Sequence, residues 1–291
     1  MFQIIGIVLL FGMVFGGYTI AGGKMGVILH SLPYEMMMIG GAAVAALLMS
    51  NSVSTLKGVA GGFGKVFAGP KWKKQDYKDL LSLLFQLTKT MKSKGVIALE
   101  SHIEKPAESA IFQKYPKVLK DHFATDFICD TLRMMTMNLE DPHQIEDVME
   151  KQLEKHHHEA LGPAHALQNM ADALPALGIV AAVLGVIKTM GSITEPPEIL
   201  GGMIGGALVG TFLGVFLAYG LVGPLAARLK AIVDEEAAFY KIIQSVLIAH
   251  LHGNAAQISV EIGRTDIPSS AQPSFAQLEE SLAAAPMDAA A

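Results

Sequence analysis

Four stretches of this chain are apolar for long enough to cross a bilayer, where about 20 mostly apolar residues are needed. The first runs from Phe2 to Ala21. No Lys or Arg precedes its apolar run, which is long for a signal sequence, so it reads as a retained anchor. The second, Tyr34 to Ser50, is short but rich in Met, Ala, Leu and Val. The third covers Asp172 to Ser192. The fourth covers Ile199 to Ala227 and can span with tilt. Close spacing pairs the spans into two hairpins, 1–52 and 171–228.

The polar segments between and after the hairpins read as helical. Leu80, Leu81, Leu84, Leu87 and Met91 recur with helical spacing behind Asp76. A second helix is expected over Phe123 to Leu139. Asp141-Pro142 is a helix start, with Asp as N-cap and Pro at the first position. That helix is expected to run toward span three, with an interruption near Gly162-Pro163. Pro224 to His252 reads as one helix stopped by Gly253. The final AAAPMDAAA reads as disordered. The predicted fold class is therefore all-α: four membrane helices in two hairpins, a helical insert over 53–170, and a C-terminal helix and tail over 229–291.

Charge sets the orientation. The insert 53–170 holds 16 of the 22 Lys and Arg residues, five of them between Lys65 and Lys78. The turn after span one has Lys24; the turn after span three has Glu195 and Glu198 and no basic residue. The positive-inside rule puts the insert and both termini in the cytoplasm. The net charge of −5 gives no reason to expect a nucleic-acid partner; membrane lipid is the expected surrounding. The single cysteine, Cys129, excludes an internal disulfide framework. There is no metal-ligand Cys pair, Walker loop or dinucleotide fingerprint, so neither a cofactor nor enzyme chemistry is expected.

Within these boundaries no Asp or Glu lies inside a span, since Glu35 and Asp172 fall at span ends and Lys188 can snorkel. A proton carrier needs an ionisable group at membrane depth. Either the chain moves no ions or a partner supplies the acid. Gly202, Gly206, Gly210, Gly214 and Ala218 form one smooth face that admits another helix closely. Span three offers Gly178, Ala182 and Gly185 as an internal counterpart, yet five small residues in register exceed what one internal contact needs. Thr211 is the hydroxyl in mid-span four, suited either to a back-bond four residues earlier or to an ion near a partner's acid. Pro175 and Pro224 free backbone carbonyls and bend their helices, as static kinks or as hinges. His156-His157-His158 point in different directions on a helix and read as a solvated face rather than a metal site. Trp72, in a basic stretch, reads as an interfacial anchor.

Together these residues resemble the MotA family, the larger subunit of the flagellar motor stator. The resemblance runs from VFGGYTIAGG (Val14 to Gly23) through DLLSLLFQL (Asp79 to Leu87) and IALESHIEKPAES (Ile97 to Ser109). It is strongest at ALPALGIVAAVLGVIKTMGS (Ala173 to Ser192) and ALVGTFLGVFLAYGLVGPLA (Ala207 to Ala226), and extends to VEIGRTDIPSSAQPSFAQLEE (Val260 to Glu280). It implies a pentamer around two single-span MotB subunits, whose helix carries the ion-binding aspartate, in the bacterial inner membrane. It implies that ion passage turns the ring and that the insert pushes on FliG of the rotor. Pro175 and Pro224 match the family prolines that link ion flow to movement, and Thr211 matches the threonine beside the ion site. Lys92 and Glu100 match the charged pair that meets FliG, with Lys where well-known relatives carry Arg, a planar fork replaced by a point charge. Ala182 stands where sodium-driven relatives place a threonine, which favours protons.

Three other readings compete, one of them a self-sufficient secondary transporter, which the lack of an acid inside a span disfavours. ExbB- and TolQ-like energising subunits share the partner-acid logic but have three spans. A non-conducting membrane scaffold is compatible with the small-residue faces.

Overall fold

The computed structural model describes residues 2–137 and 141–284, and every regular element among them is helical. Helix α1, Phe2–Ile20, and α2, Met25–Ser50, form the first hairpin about Gly22, whose φ of +84° suits glycine. Then follow α3 Val53–Ala68, α4 Lys74–Lys94, short α5 Glu100–Glu104 and α6 Pro116–Leu119, and α7 His122–Thr136. Helix α8, Pro142–Met190, and α9, Pro197–Leu251, are long single rods. Two short helices close the chain: α10, Ala256–Thr265, and α11, Phe275–Ala284. Of these, α1, α2, α8 and α9 are long and apolar enough to cross a membrane, which makes this an all-α membrane protein.

Three boundaries depart from the sequence reading. Span two starts at Met25, nine residues before Tyr34, because the helix passes straight through Pro33. Helix α8 runs unbroken through Gly162-Pro163 and Pro175. Pro163 instead fills the space over Gly58, where a Cβ would meet its ring at 2.5 Å. The end of α7 falls at Thr136, and Leu139 lies outside the described residues, as does most of the AAAPMDAAA tail. Two helix-end signals read correctly. The Asp141 carboxylate accepts the His143 N–H at 3.0 Å at the start of α8, and Gly253, at φ +89°, terminates α9.

The chain divides into two compact units. The span unit comprises Met1–Gly69 and Ala160–Ile232; the second comprises Pro70–Glu159 and Val233–Ala291. In the span unit α1 is apolar on every side and buries none of its residues. A helix of that kind needs lipid or another chain around it. Phe11 and Phe15 meet Phe212 and Phe216 of α9 with ring centroids 5.3–5.9 Å apart. Small cores form around Val66, Leu167 and Leu229, and around Ile39, Leu174 and Leu213.

The second unit has a large core of Leu, Ile and aromatic side chains. The α4 residues Leu80, Leu81, Leu84 and Leu87 are fully buried there. Trp72, expected as an interfacial anchor, is 4% exposed and lies flat on Phe239 with centroids 3.7 Å apart. It is a core residue, flanked by Lys71 and Lys117 over its ring. Those lysines also reach carboxylates: Lys71 pairs with Asp121 at 2.5 Å, and Lys117 with Asp76. Asp121 in turn caps α7 by accepting the Ala124 N–H at 2.8 Å.

Candidate functional site

The candidate ion path lies where α2, α8 and α9 meet, and glycine brings them together. A Cβ on Gly178 of α8 would sit 2.8 Å from the Gly210 carbonyl and 3.1 Å from the Gly214 Cα. One on Gly214 would sit 2.6 Å from the Leu174 carbonyl. Backbone therefore touches backbone along this seam, the arrangement small residues permit in lipid. Further along, Gly185 faces Ala207.

The small-residue face of α9 is thus consumed mainly within the chain. Gly206 meets the Ser31 hydroxyl of α2, Gly210 meets Glu35 and Ala181, Gly214 meets α8, and Ala218 is 1% exposed. Only Gly202, of the five, has open space before it. Of the two readings, packing inside the chain covers most of this face, and it does so with two neighbours, α2 and α8, where the sequence reading counted span three alone.

Glu35 is the residue that sequence reasoning misplaced. With span two starting at Met25, Glu35 lies well inside it, roughly 15 Å along at 1.5 Å per residue. It is 5% exposed, and its Oε2 has no hydrogen-bond partner among the described residues. The statement that no acid lies inside a span is therefore overturned. Two signals could have found it: the 34–50 segment is short for a span, and Ser31 and Glu35 share a helix face. A π-helical stretch, Met36–Gly40, follows it directly. Such widened turns recur at functional sites.

Thr211 and Ala182 each lie one residue past the Gly210–Ala181 contact and are half-buried. One residue along a helix turns the side chain off the packed seam. Thr19, Thr131 and Thr189 bond the carbonyl four residues back, at 2.7–2.9 Å. The Thr211 hydroxyl makes no such bond among the described residues. Pro175 is half-buried within α8; Pro224 is exposed and follows a second π-helical stretch, Leu217–Val222. A wider turn before a proline gives its ring room against the carbonyl four residues back.

Lys92 and Glu100 belong to the second unit, apart from the path residues. Both are exposed: Lys92 in the last turn of α4, Glu100 at the start of α5, with Ile97 between them 81% exposed. Burial pushes the imidazole of His250, beyond the span in α9, below its usual range, and the Lys92 ammonium adds to the shift. The three adjacent histidines diverge, as expected, but not onto one solvated face. His156 stacks on Phe123 at 3.6 Å, His157 reaches Asp234 at 3.2 Å, and His158 is exposed.

A family model described as the motility protein A N-terminal region matches residues 4–95. One described as the MotA/TolQ/ExbB proton channel family matches residues 119–241. Motility protein A of Salmonella typhimurium is 39% identical over 280 residues, 96% of this chain and 94% of that protein. Chemotaxis protein LafT of Vibrio parahaemolyticus is 36% identical over 281 residues, 97% and 98% of the two chains. Among solved structures, C. jejuni MotAB gives a TM-score of 0.70 at 20% identity, covering 91% of this chain and 95% of that one. The Bacillus subtilis MotAB stator complex gives 0.67 at 22%, covering 89% and 92%. These two likenesses speak to the fold.

Proposed function

The chain belongs to the motility protein A family, and from that premise we propose that it is the stator subunit that turns ion flow into torque in a bacterial flagellar motor. The observation that carries the mechanism is the α8–α9 seam. Its backbones are in contact, and Thr211 lies beside it, its hydroxyl making no hydrogen bond among the described residues. Ions pass along this side of the spans with MotB, whose single span brings an aspartate. Several copies of the chain, five by the resemblance, surround two MotB helices. Ala182 supplies no oxygen ligand, which favours protons over sodium.

Pro175 and Pro224 couple the path to the rest of the rods. Each lies inside a long continuous helix, so a bend at the proline redirects the residues that follow it. Lys92 and Glu100 are the exposed charges that meet FliG. The excess of Lys and Arg in the insert supports a cytoplasmic side for it and for both termini, with the spans in the inner membrane. The work is mechanical and involves no bond-making chemistry or cofactor.

The TolQ and ExbB reading draws on the second family match, which names all three proteins. The N-terminal match and the four spans favour the motor. A flux measurement tests the assignment. Vesicles holding this chain together with its MotB should pass protons, and vesicles holding this chain alone should not. Equal flux from both would refute the partner mechanism. In cells, Pro175→Ala should leave the protein in the membrane and stop swimming; unchanged swimming would remove the hinge. Reversing the charge at Glu100 should reduce torque without reducing flux.

A further inference from the structure

At the hairpin-turn end of the span unit, α2, α8 and α9 line a half-open cavity of about 720 Å³. Helix α9 lines it with glycine and apolar side chains alone. The polar groups come from α2 (His30, Ser31, Tyr34 and Glu35) and from Lys188 of α8. Glu35 stands at the buried end of this set, and its Oε2 is without a hydrogen-bond partner. The helices run in matched register here: Ser31 meets Gly206 and Glu35 meets Gly210, four residues further on both. Gly210 leaves room for the carboxyl, since a Cβ there would lie 2.7 Å from Oε2. Thr211 follows immediately.

An unpaired carboxylate removed from water is costly unless it holds a proton or a cation. The nearest fixed cation on the cavity wall is Lys188, whose side chain is exposed at the far end of α8. Burying an acid with no partner, next to a glycine and below a cavity with polar walls, makes sense for a group that takes up and releases something small. We propose that Glu35 is a proton-holding group of this chain's own, reached through the cavity below His30 and Ser31, which delivers protons to the level of Thr211. The proposal rests on the reading of the chain as a proton-conducting stator subunit. It changes that reading in one respect: the path carries an acid from this chain in addition to the partner's.

The test uses the whole complex with its single-span partner, in vesicles. A membrane-permeant carbodiimide reacts with protonated carboxyl groups held in apolar surroundings, and mass spectrometry locates the adduct. Glu35 should be labelled at neutral pH, with labelling falling as the pH is raised. E35Q should lower proton flux by about a hundredfold, the lower end of what a positioned proton acceptor contributes. E35D should retain more flux than E35Q. Labelling of the partner's acid with none on Glu35 at any pH overturns the proposal, and does so without any variant having to fold. Labelling of Glu35 with undiminished flux in E35Q also overturns it, leaving a structural carboxyl. Protection by sodium in place of raised pH would make the group a sodium ligand and equally refute it. A wild-type complex that passes no protons fails the underlying stator reading, whatever Glu35 does.

Discussion

The two units of this chain are built on opposite packing rules. In the second unit large side chains fill the interior: Trp72 lies flat on Phe239, and four α4 leucines are fully buried. Its buried carboxylates have partners, as Asp76 has Lys117 and Asp121 has Lys71. In the span unit backbones come into direct contact at Gly178 and Gly214, and its one deeply buried carboxyl, among the described residues, has an oxygen with no partner. Water explains the difference. Where water surrounds a unit, burying apolar area drives folding. In lipid that drive between helices is absent, and close van der Waals approach takes its place. The second unit is therefore damaged by taking atoms away, and the span unit by adding them.

The strongest way to break that contrast is Phe239→Ala. It should cost the second unit about 3–5 kcal/mol, the usual range for deleting a buried ring. Trp72 is the only tryptophan, so its fluorescence should shift toward that of a solvated indole. An unchanged spectrum would mean that the stack does not hold the unit together. Next is Gly214→Ala, which adds one methyl against the Leu174 carbonyl and the Gly178 backbone. Overpacking of this kind costs about 1–3 kcal/mol, to be read as lowered thermal stability in detergent. A neutral result would show that the α8–α9 seam is looser than the structure has it.

Cys129 gives a smaller and sharper test. Burial pushes its thiol up to about 12, with Arg133 opposing. Since the thiolate is the reactive form, alkylation of the folded protein should be slow at neutral pH and rise with pH or on unfolding. Fast labelling would expose a core the structure keeps closed. Smallest of all is Gly202→Ala, where the added methyl meets open space. Its effect on stability should stay within about 0.5 kcal/mol. A loss of swimming with stability intact would mark Gly202 as the place where a neighbouring subunit packs.

The same contrast governs what could be read from sequence. Apolar runs and helical spacing gave all four spans and α4, because hydrophobic periodicity is a local signal. Proline misled near Gly162-Pro163, which lies inside a continuous helix. Starting span two at Tyr34 put Glu35 at a headgroup and hid the carboxyl now found at depth. Trp72 was misplaced for a different reason. Its basic neighbours suggested a membrane surface, whereas they lie over its buried ring and pair with Asp121 and Asp76. The glycine face was visible in the sequence; that α2 and α8 share it was not, because helix pairing is a tertiary fact.

We propose that this chain converts proton flow into rotation. The most direct test is swimming in sodium-free medium by cells whose only stator is this chain with its MotB, before and after a protonophore. Swimming without sodium is expected, with prompt arrest when the proton gradient collapses. Swimming that needs sodium, or that survives the protonophore, would contradict the proposal.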